Sequence, residues 1–269
     1  MEVVLKNVNY RYKGKKILDK INLRISGSKI TGITGDNKTL LIEMIDSLTF
    51  PSYGEIKIGN ELIDRTNITE MRKKVCLIRQ RSKEQFFTDT PREEMMFLVG
   101  RLDYKNKNII KKMKDALKIV GLSEDYLDEK ILYLSSGEQK LIQIAINLLY
   151  NPKVIIFDEP FVELDYNNKK KLIKLIKLLK DRYKKTIIIA SNDSNLLYEL
   201  TDDLIIIKKN RIIAADETTK IYQDVDFLTY NEIEVPNLVR FTYLAKRKKV
   251  KLSYHKDIRD LIKDVYKHV

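Results

Sequence analysis

The stretch Val154-Ile155-Ile156-Phe157-Asp158-Glu159-Pro160 constrains this chain more than any other. Four consecutive apolar residues fit a strand buried on both faces, the pattern of a parallel sheet covered by helices. Such a strand ending in Asp158 and Glu159 places two carboxylates at its carboxyl end, where open α/β sheets put their ligands. Further short β-branched runs share this character: Ile30–Thr34, Val75–Ile78, Thr186–Ala190 and Leu204–Ile207. Between them lie helical stripes. Ile109, Ile110, Met113, Ala116, Leu117 and Val120 fall at helical spacing with Gly121 closing the run, and Leu172, Ile173, Ile176 and Leu179 form another. The alternation predicts an α/β fold with a mostly parallel sheet.

The ends of the chain differ from this centre. Val3–Tyr12, Ile17–Ile25 and Glu55–Ile58 read as antiparallel strands joined by the turns Lys13-Gly14-Lys15 and Ser52-Tyr53-Gly54. Residues 1–223 form the expected main domain. From Asp224 to Val269 the sequence reads as a tail module, with one helix opened by Val235-Pro236 (Leu238, Phe241, Ala245) and another carrying Ile258, Leu261, Ile262 and Val265.

The 269 residues carry 51 Lys+Arg against 38 Asp+Glu, a net charge of +13. This balance suits nucleic acid, an anionic membrane surface, or simply a solvated lysine-rich exterior. A lone cysteine, Cys76, excludes an internal disulfide framework, and its apolar neighbours Val75, Leu77 and Ile78 suggest packing. The N-terminus has no signal-peptide pattern, and the longest apolar runs are a few residues against the ~20 of a spanning helix. The chain is expected to be soluble, held at any membrane by something else.

Leu134-Ser135-Ser136-Gly137-Glu138-Gln139 carries a capping-box spacing between Ser135 and Glu138 at a helix head. Small residues and bare N–H groups there make either an anion site or a plain structural cap. The strand that begins about fifteen residues later, at Val154, ends in Asp158, which can serve Mg²⁺ through its shell, and Glu159, which can orient or deprotonate an attacking water.

With these motifs in order, the sequence resembles the ATP-binding cassette (ABC) ATPases over its first 220 or so residues. The resemblance implies a P-loop NTPase cassette with a RecA-like core, an antiparallel β subdomain and a helical signature subdomain, here followed by a small C-terminal helical module. It implies ATP and Mg²⁺ as cofactors. Tyr12 matches the aromatic that stacks on adenine, and Gln80 the Q-loop glutamine that contacts Mg²⁺ and the membrane partner. Leu134 to Gln139 resembles the signature motif. Asp158 matches the Walker B aspartate, Glu159 the catalytic glutamate, and Asp165 the aspartate of a D-loop, Glu163-Leu164-Asp165. Arg81-Ser82-Lys83-Glu84-Gln85-Phe86-Phe87, then Thr90-Pro91-Arg92-Glu93-Glu94, is similar to the Q-loop region of energy-coupling factor (ECF) transporter ATPases, as is the tail. Phe86 and Phe87 would be core packing or an anchor for a membrane subunit's coupling helix. The partners implied are a second ABC ATPase subunit, an integral membrane coupling subunit and a substrate-binding membrane subunit, with this chain peripheral on the cytoplasmic face. A separate membrane protein would choose the solute, often a vitamin or metal ion.

Two departures stand out. A phosphate loop of Gly-x4-Gly-Lys-Ser/Thr wraps phosphates with backbone N–H groups while its Lys reaches the outer ones. Here the stretch is Gly32-Ile33-Thr34-Gly35-Asp36-Asn37-Lys38-Thr39-Leu40. Counted from Gly32 the length fits, with Asn37 in place of the last glycine. Counted from Gly35 three residues are missing, roughly 10 Å of contour. The second alignment is preferred because it leaves the strand whole. Asn37 tolerates a positive φ, and a helix with Leu40, Leu41, Met44, Ile45 and Leu48 follows. Thr39 would join Gln80 and Asp158 at the metal. The second departure is Ser191-Asn192-Asp193, where Asn192 takes the place of the family's switch histidine. The two histidines, His255 and His268, lie in the tail and are expected at the surface.

The family pairs head to tail, with each ATP between one loop and the other subunit's signature. A good signature beside a poor loop predicts the weaker half of an asymmetric heterodimer, with retained Glu159 keeping residual hydrolysis open. The rivals are a scaffold that only donates its signature, and a soluble cassette ATPase acting on RNA or ribosomes. The second usually shows tandem cassettes or long insertions, so no nucleic-acid partner is expected.

Overall fold

The computed structural model describes residues 1–81, 85–101, 108–162 and 164–267. Ser82, Lys83, Glu84, Glu163 and His268, all invoked above, lie outside the described residues. The chain opens with the hairpin β1 (Val3–Tyr12) and β2 (Lys15–Ile25), followed by β3 (Ile30–Gly35) and α1 (Lys38–Ile45). Next come β4 (Tyr53–Ile58), β5 (Glu61–Leu62), α2 (Ile68–Lys74) and β6 (Val75–Ile78). Three helices follow, α3 (Pro91–Arg101), α4 (Ile109–Val120) and α5 (Ser136–Leu148). The chain then alternates through β7 (Val154–Asp158), α6 (Tyr166–Asp181), β8 (Thr186–Ala190), α7 (Ser194–Leu200) and β9 (Asp203–Lys208). It ends with β10 (Arg211–Glu217), α8 (Thr218–Gln223), α9 (Val225–Tyr230), α10 (Asn237–Arg247) and α11 (Ile258–Tyr266).

Two sheets result. One is antiparallel in the order β2-β1-β4-β5. The other runs β10-β9-β3-β8-β7-β6, parallel from β9 to β6, with β10 antiparallel on its edge. Strand β7 shows why the apolar run folds this way. Val154, Ile155, Ile156 and Phe157 are each 0% exposed. Ile155 and Phe157 enter the cluster built with α4, α5, α6 and α7, while Val154 and Ile156 enter the cluster under α1 and the antiparallel sheet. Alternate residues thus feed opposite cores, at about 2 kcal/mol for each large side chain buried. The tail joins the first cluster through Val225, Leu228, Val235 and Val239.

Several expectations are revised. Helix α1 stops at Ile45, and Leu48 is 40% exposed, because the chain turns at Asp46-Ser47 with Ser47 at φ 62°. Strands β5 and β10 and helices α2, α3, α7, α8 and α9 had no counterpart in the sequence reading. His255 is half-buried rather than on the surface, because Asp264 of α11 takes its Nε2 at 3.0 Å.

The constraint that sets α1 against the sheet lies at Gly35. Its φ is +97°, and a Cβ there would stand 2.0 Å from the carbonyl oxygen of Ile207 in β9. Gly35→Ala should therefore cost about 3 kcal/mol of folding free energy, read as a fall in the urea midpoint. An unchanged midpoint would show that β3 and β9 are not held this close.

Candidate functional site

The parallel strands β3, β8, β7 and β6 end side by side. Ile33 and Asp158 both pair with Ala190, and Phe157 pairs with Ile78. The residues just past these ends therefore converge: Lys38 and Thr39 after β3, Asp158 and Glu159 at β7, Ser191 and Asn192 after β8, and Gln80 two residues beyond β6. This is the carboxyl edge of an open sheet at its switch in strand order.

Only Asp36 and Asn37 separate β3 from α1. Asn37 has φ 56°, the left-handed conformation allowed for in the sequence reading. The strand runs whole to Gly35, so the loop is the short one. Gly32 is not part of it. It lies mid-strand, where a Cβ would meet the side chains of Leu197, Thr201 and Leu204 at 3.0–3.1 Å, so its missing side chain serves helix–sheet packing. The two loop residues are tied to the β9–β10 turn and to β2. Asp36 N–H donates to Ile207 O at 2.9 Å, and Asp36 Oδ2 accepts from Lys209 N–H at 2.9 Å. Asn37 Nδ2 donates to Ile17 O and Asn210 Oδ1, both at 3.1 Å. These contacts also place the tip of the β1–β2 hairpin beside the loop. Tyr12 stands at that tip, 57% exposed, with Lys13 over its ring.

The charged centre is compact. Lys38 Nζ pairs with Glu159 Oε1 at 3.2 Å, and both side chains are largely buried. Glu159 is held further by Ser191 Oγ–H on Oε2 at 2.7 Å and by Asn192 N–H on Oε1 at 3.0 Å, while its own N–H donates to Ala190 O. It sits at φ 43°, uncommon for a residue with a side chain and typical of functional positions. Asn192 reaches Glu159 through its backbone N–H.

Asp158 is the likeness of a metal-shell carboxylate in its environment. Burial pushes its carboxyl above the ordinary range, with Lys38 opposing that and Glu159 and Glu43 adding to it. Thr39 hydrogen-bonds it, and its Oδ1 is buried without a hydrogen-bond partner. An orphaned carboxylate oxygen beside a hydroxyl suits Mg²⁺, which binds through one or two carboxylates plus waters and phosphates. Gln80 lies two residues past β6, and its backbone is gripped by Lys140, whose Nζ donates to Arg79 O and Gln80 O at 2.7 Å.

The Ser135 tip is built on other elements. Ser135 caps α5, and the reciprocal capping box with Glu138 is complete. Glu138 Oε2 accepts from Ser135 N–H at 2.8 Å and Oγ–H at 2.7 Å, and Oε1 accepts from Tyr126 at 2.6 Å. Ser135 and Ser136 are exposed, and Gly137 is buried. Gln139 is buried and donates to Ile131 O and Leu134 O, so it supports the turn before the tip. Asp165 caps α6 through Asn168 N–H at 2.9 Å. The phenylalanine pair divides: Phe86 packs against the main core, and Phe87 is 72% exposed against Phe97. Leu132 and Tyr133 are exposed beside Phe86 in the same groove.

The residue model for the ABC transporter family matches residues 18–162 of this chain, more than half of it and spanning Lys38 to Glu159. The chain belongs to the ABC transporter ATPase family. ABC ATPases couple ATP hydrolysis to transport. An energy-coupling factor transporter ATP-binding protein of Clostridium tetani is 30% identical over 262 residues, 93% of this chain and 90% of that protein. Another, from Mycoplasma capricolum, is 26% identical over 97% of this chain and 94% of its own length. Among solved structures, cbiO1 of Clostridium perfringens, part of the ABC transporter complex cbiONQ, superposes with TM-score 0.76 at 27% identity over 90% of this chain and 98% of that one. A dimeric ATP-binding cassette in a post-hydrolysis state with ADP and Pi gives TM-score 0.70 at 25% identity over 80% of this chain and 98% of that one.

The contacts of Ser191, Lys140 and Asn210 at the site were not read from the sequence. Only Asn210 carried a local signal, an asparagine in a two-residue turn after an apolar run. Because Glu159 neutralises Lys38, an arriving triphosphate must compete for that ammonium. Glu159→Gln should tighten nucleotide binding to the isolated chain about tenfold, near 1.4 kcal/mol, in a fluorescent-nucleotide titration. Unchanged or weaker binding would remove the ion pair as a barrier.

Proposed function

We propose that this chain is the ATP-binding subunit of an ECF-type transporter importing a small solute such as a vitamin or metal ion, and that it is the weaker half of an asymmetric cassette pair. One observation carries the reading. Lys38, Asp158, Glu159 and Ser191 meet at one sheet edge, yet the loop that should wrap the phosphates is two residues long and tied to Ile17, Lys209 and Asn210. Such a loop leaves few backbone donors for a triphosphate beyond those at the start of α1. The Ser135 tip is intact, capped and exposed, ready to serve a nucleotide held by another subunit.

ATP with Mg²⁺ is the cofactor this arrangement fits. Tyr12 would stack on the base, and Gly35, Asp36, Asn37, Lys38, Thr39 and Leu40 would bound the phosphates. Thr39, Asp158 and Gln80 would hold the metal, which supplies charge neutralisation of the phosphates when bound. Glu159 would orient the attacking water once released from Lys38, and Asn192 stands at the switch position. The partner lends its own loop to Ser135, Ser136 and Gly137, with Asp165 beside them. The groove of Phe86, Leu132 and Tyr133, with Phe87 nearby, suits an apolar segment of an integral membrane coupling subunit, which itself joins a substrate-binding membrane subunit. Among the described residues no helix is long and apolar enough to cross a membrane, so such a partner would hold the chain at the cytoplasmic face.

The scaffold alternative keeps the tip and discards the catalysis. The retained convergence of Lys38 with both carboxylates argues for residual nucleotide chemistry instead. In the assembled transporter, Ser135→Ala should lower ATPase activity about a hundredfold, and Lys38→Ala about tenfold less severely. Equal losses would mean two equivalent sites and sink the asymmetry.

A further inference from the structure

Gly137 lies in the first turn of α5, and a Cβ built on it would stand 2.4 Å from Cγ and Nδ2 and 2.7 Å from Oδ1 of Asn168. These atoms belong to the first turn of α6, so the heads of two helices meet here. No real Cβ tolerates such distances. A flexible side chain could swing away, but Asn168 is short and pinned. Its Nδ2 donates to Asp165 Oδ2 at 2.7 Å and its backbone N–H donates to Asp165 Oδ1 at 2.9 Å. Both oxygens of the Asp165 carboxylate are thereby engaged by one residue. The Asn168 N–H holds that carboxyl below the usual range, so it is ionised at neutral pH and the clasp is charge-assisted.

We infer that Asn168 is a positioning residue that joins the Asp165 loop to the Ser135–Gly137 tip, so that this chain presents both to its partner as one rigid unit. Residue 137 is then a glycine because of Asn168 within the same chain, independently of any close approach by nucleotide. Truncating Asn168 to alanine removes all three atoms that a Gly137 methyl would strike, since each lies beyond its Cβ. A methyl on residue 137 and the asparagine amide exclude one another, and the two substitutions are coupled. The inference rests on the proposed lending of the tip to a partner cassette.

Two readouts test it: thermal unfolding of the isolated chain, and ATPase kinetics of the complex purified from its native membrane through a tag on this chain. In both, Gly137→Ala, Asn168→Ala and the double variant are compared with the wild type. In the isolated chain Gly137→Ala should lower the unfolding midpoint by about 5 °C, and adding Asn168→Ala should restore most of it. In the complex Gly137→Ala should lower kcat about a hundredfold, and the double variant should return to within about fivefold of the wild type. Asn168→Ala alone should lower kcat about fivefold while leaving the unfolding midpoint of the isolated chain within about 1 °C of the wild type, a split that mere loss of folded protein would not give. A double variant as slow as Gly137→Ala overturns the inference, because nucleotide would then be what forbids the methyl. Additive thermal shifts overturn it too, and leave the lent tip standing. Coupled thermal shifts with wild-type turnover in Gly137→Ala remove the lent tip itself, and the inference with it.

Discussion

Two residues carry the chain from the centre of the sheet into its first core helix, and the rest of the site follows from how little room that leaves. Gly35 passes the backbone of Ile207 so closely that no side chain fits. Asp36 and Asn37 then turn at once into α1, anchored to residues 173 positions away at the β9–β10 turn. Chain that could have arched over an anion is instead fastened to its own sheet. Lys38 reaches the carboxyl edge of the sheet after a loop of only two residues, too short to arch a series of backbone amides over an anion.

The lysine's charge is met from within. Glu159 spans Lys38, Ser191 and the N–H of Asn192, and the residue assigned to the attacking water is thereby parked on the residue assigned to the phosphates. The pairing stabilises two charges in a largely buried place, where an unpartnered one would be costly. A triphosphate reaching Lys38 would have to displace that glutamate. The Ser135 tip is in the opposite condition. Its capping box and Tyr126 fix Glu138, Gln139 braces the turn behind it, and the serines face outward. The Lys38 centre satisfies its own charges, while the tip leaves Ser135 and Ser136 exposed.

The sheet's centre was legible because strands buried on both faces spell themselves as apolar runs; Val154–Asp158 and Thr186–Ala190 match to within a residue. Edge strands do not. Strand β10, Arg211–Glu217, carries little buried surface, and β5 is two residues long. At the site, Asp158 and Glu159 were readable because two carboxylates after an apolar strand are rare, and Asn37 because asparagine accepts a left-handed turn. The Ser191–Glu159 bond and the grip of Lys140 on the Gln80 loop were not. They join residues 32 and 60 apart or more, through contacts that only the folded sheet creates. Gly32 offered the longer, rejected count because a glycine kept for packing under Leu197 and Leu204 looks the same in sequence as one kept for a phosphate.

Impairment of the site on Lys38 is the centre of this account, and equilibrium binding addresses it without any partner. Calorimetric titration of the isolated chain with Mg-ATP should give a dissociation constant weaker than about 100 µM, a binding free energy short of roughly −5.5 kcal/mol. A single site of low-micromolar affinity would show that the short, fastened loop holds a triphosphate well, and the asymmetry would have no structural cause.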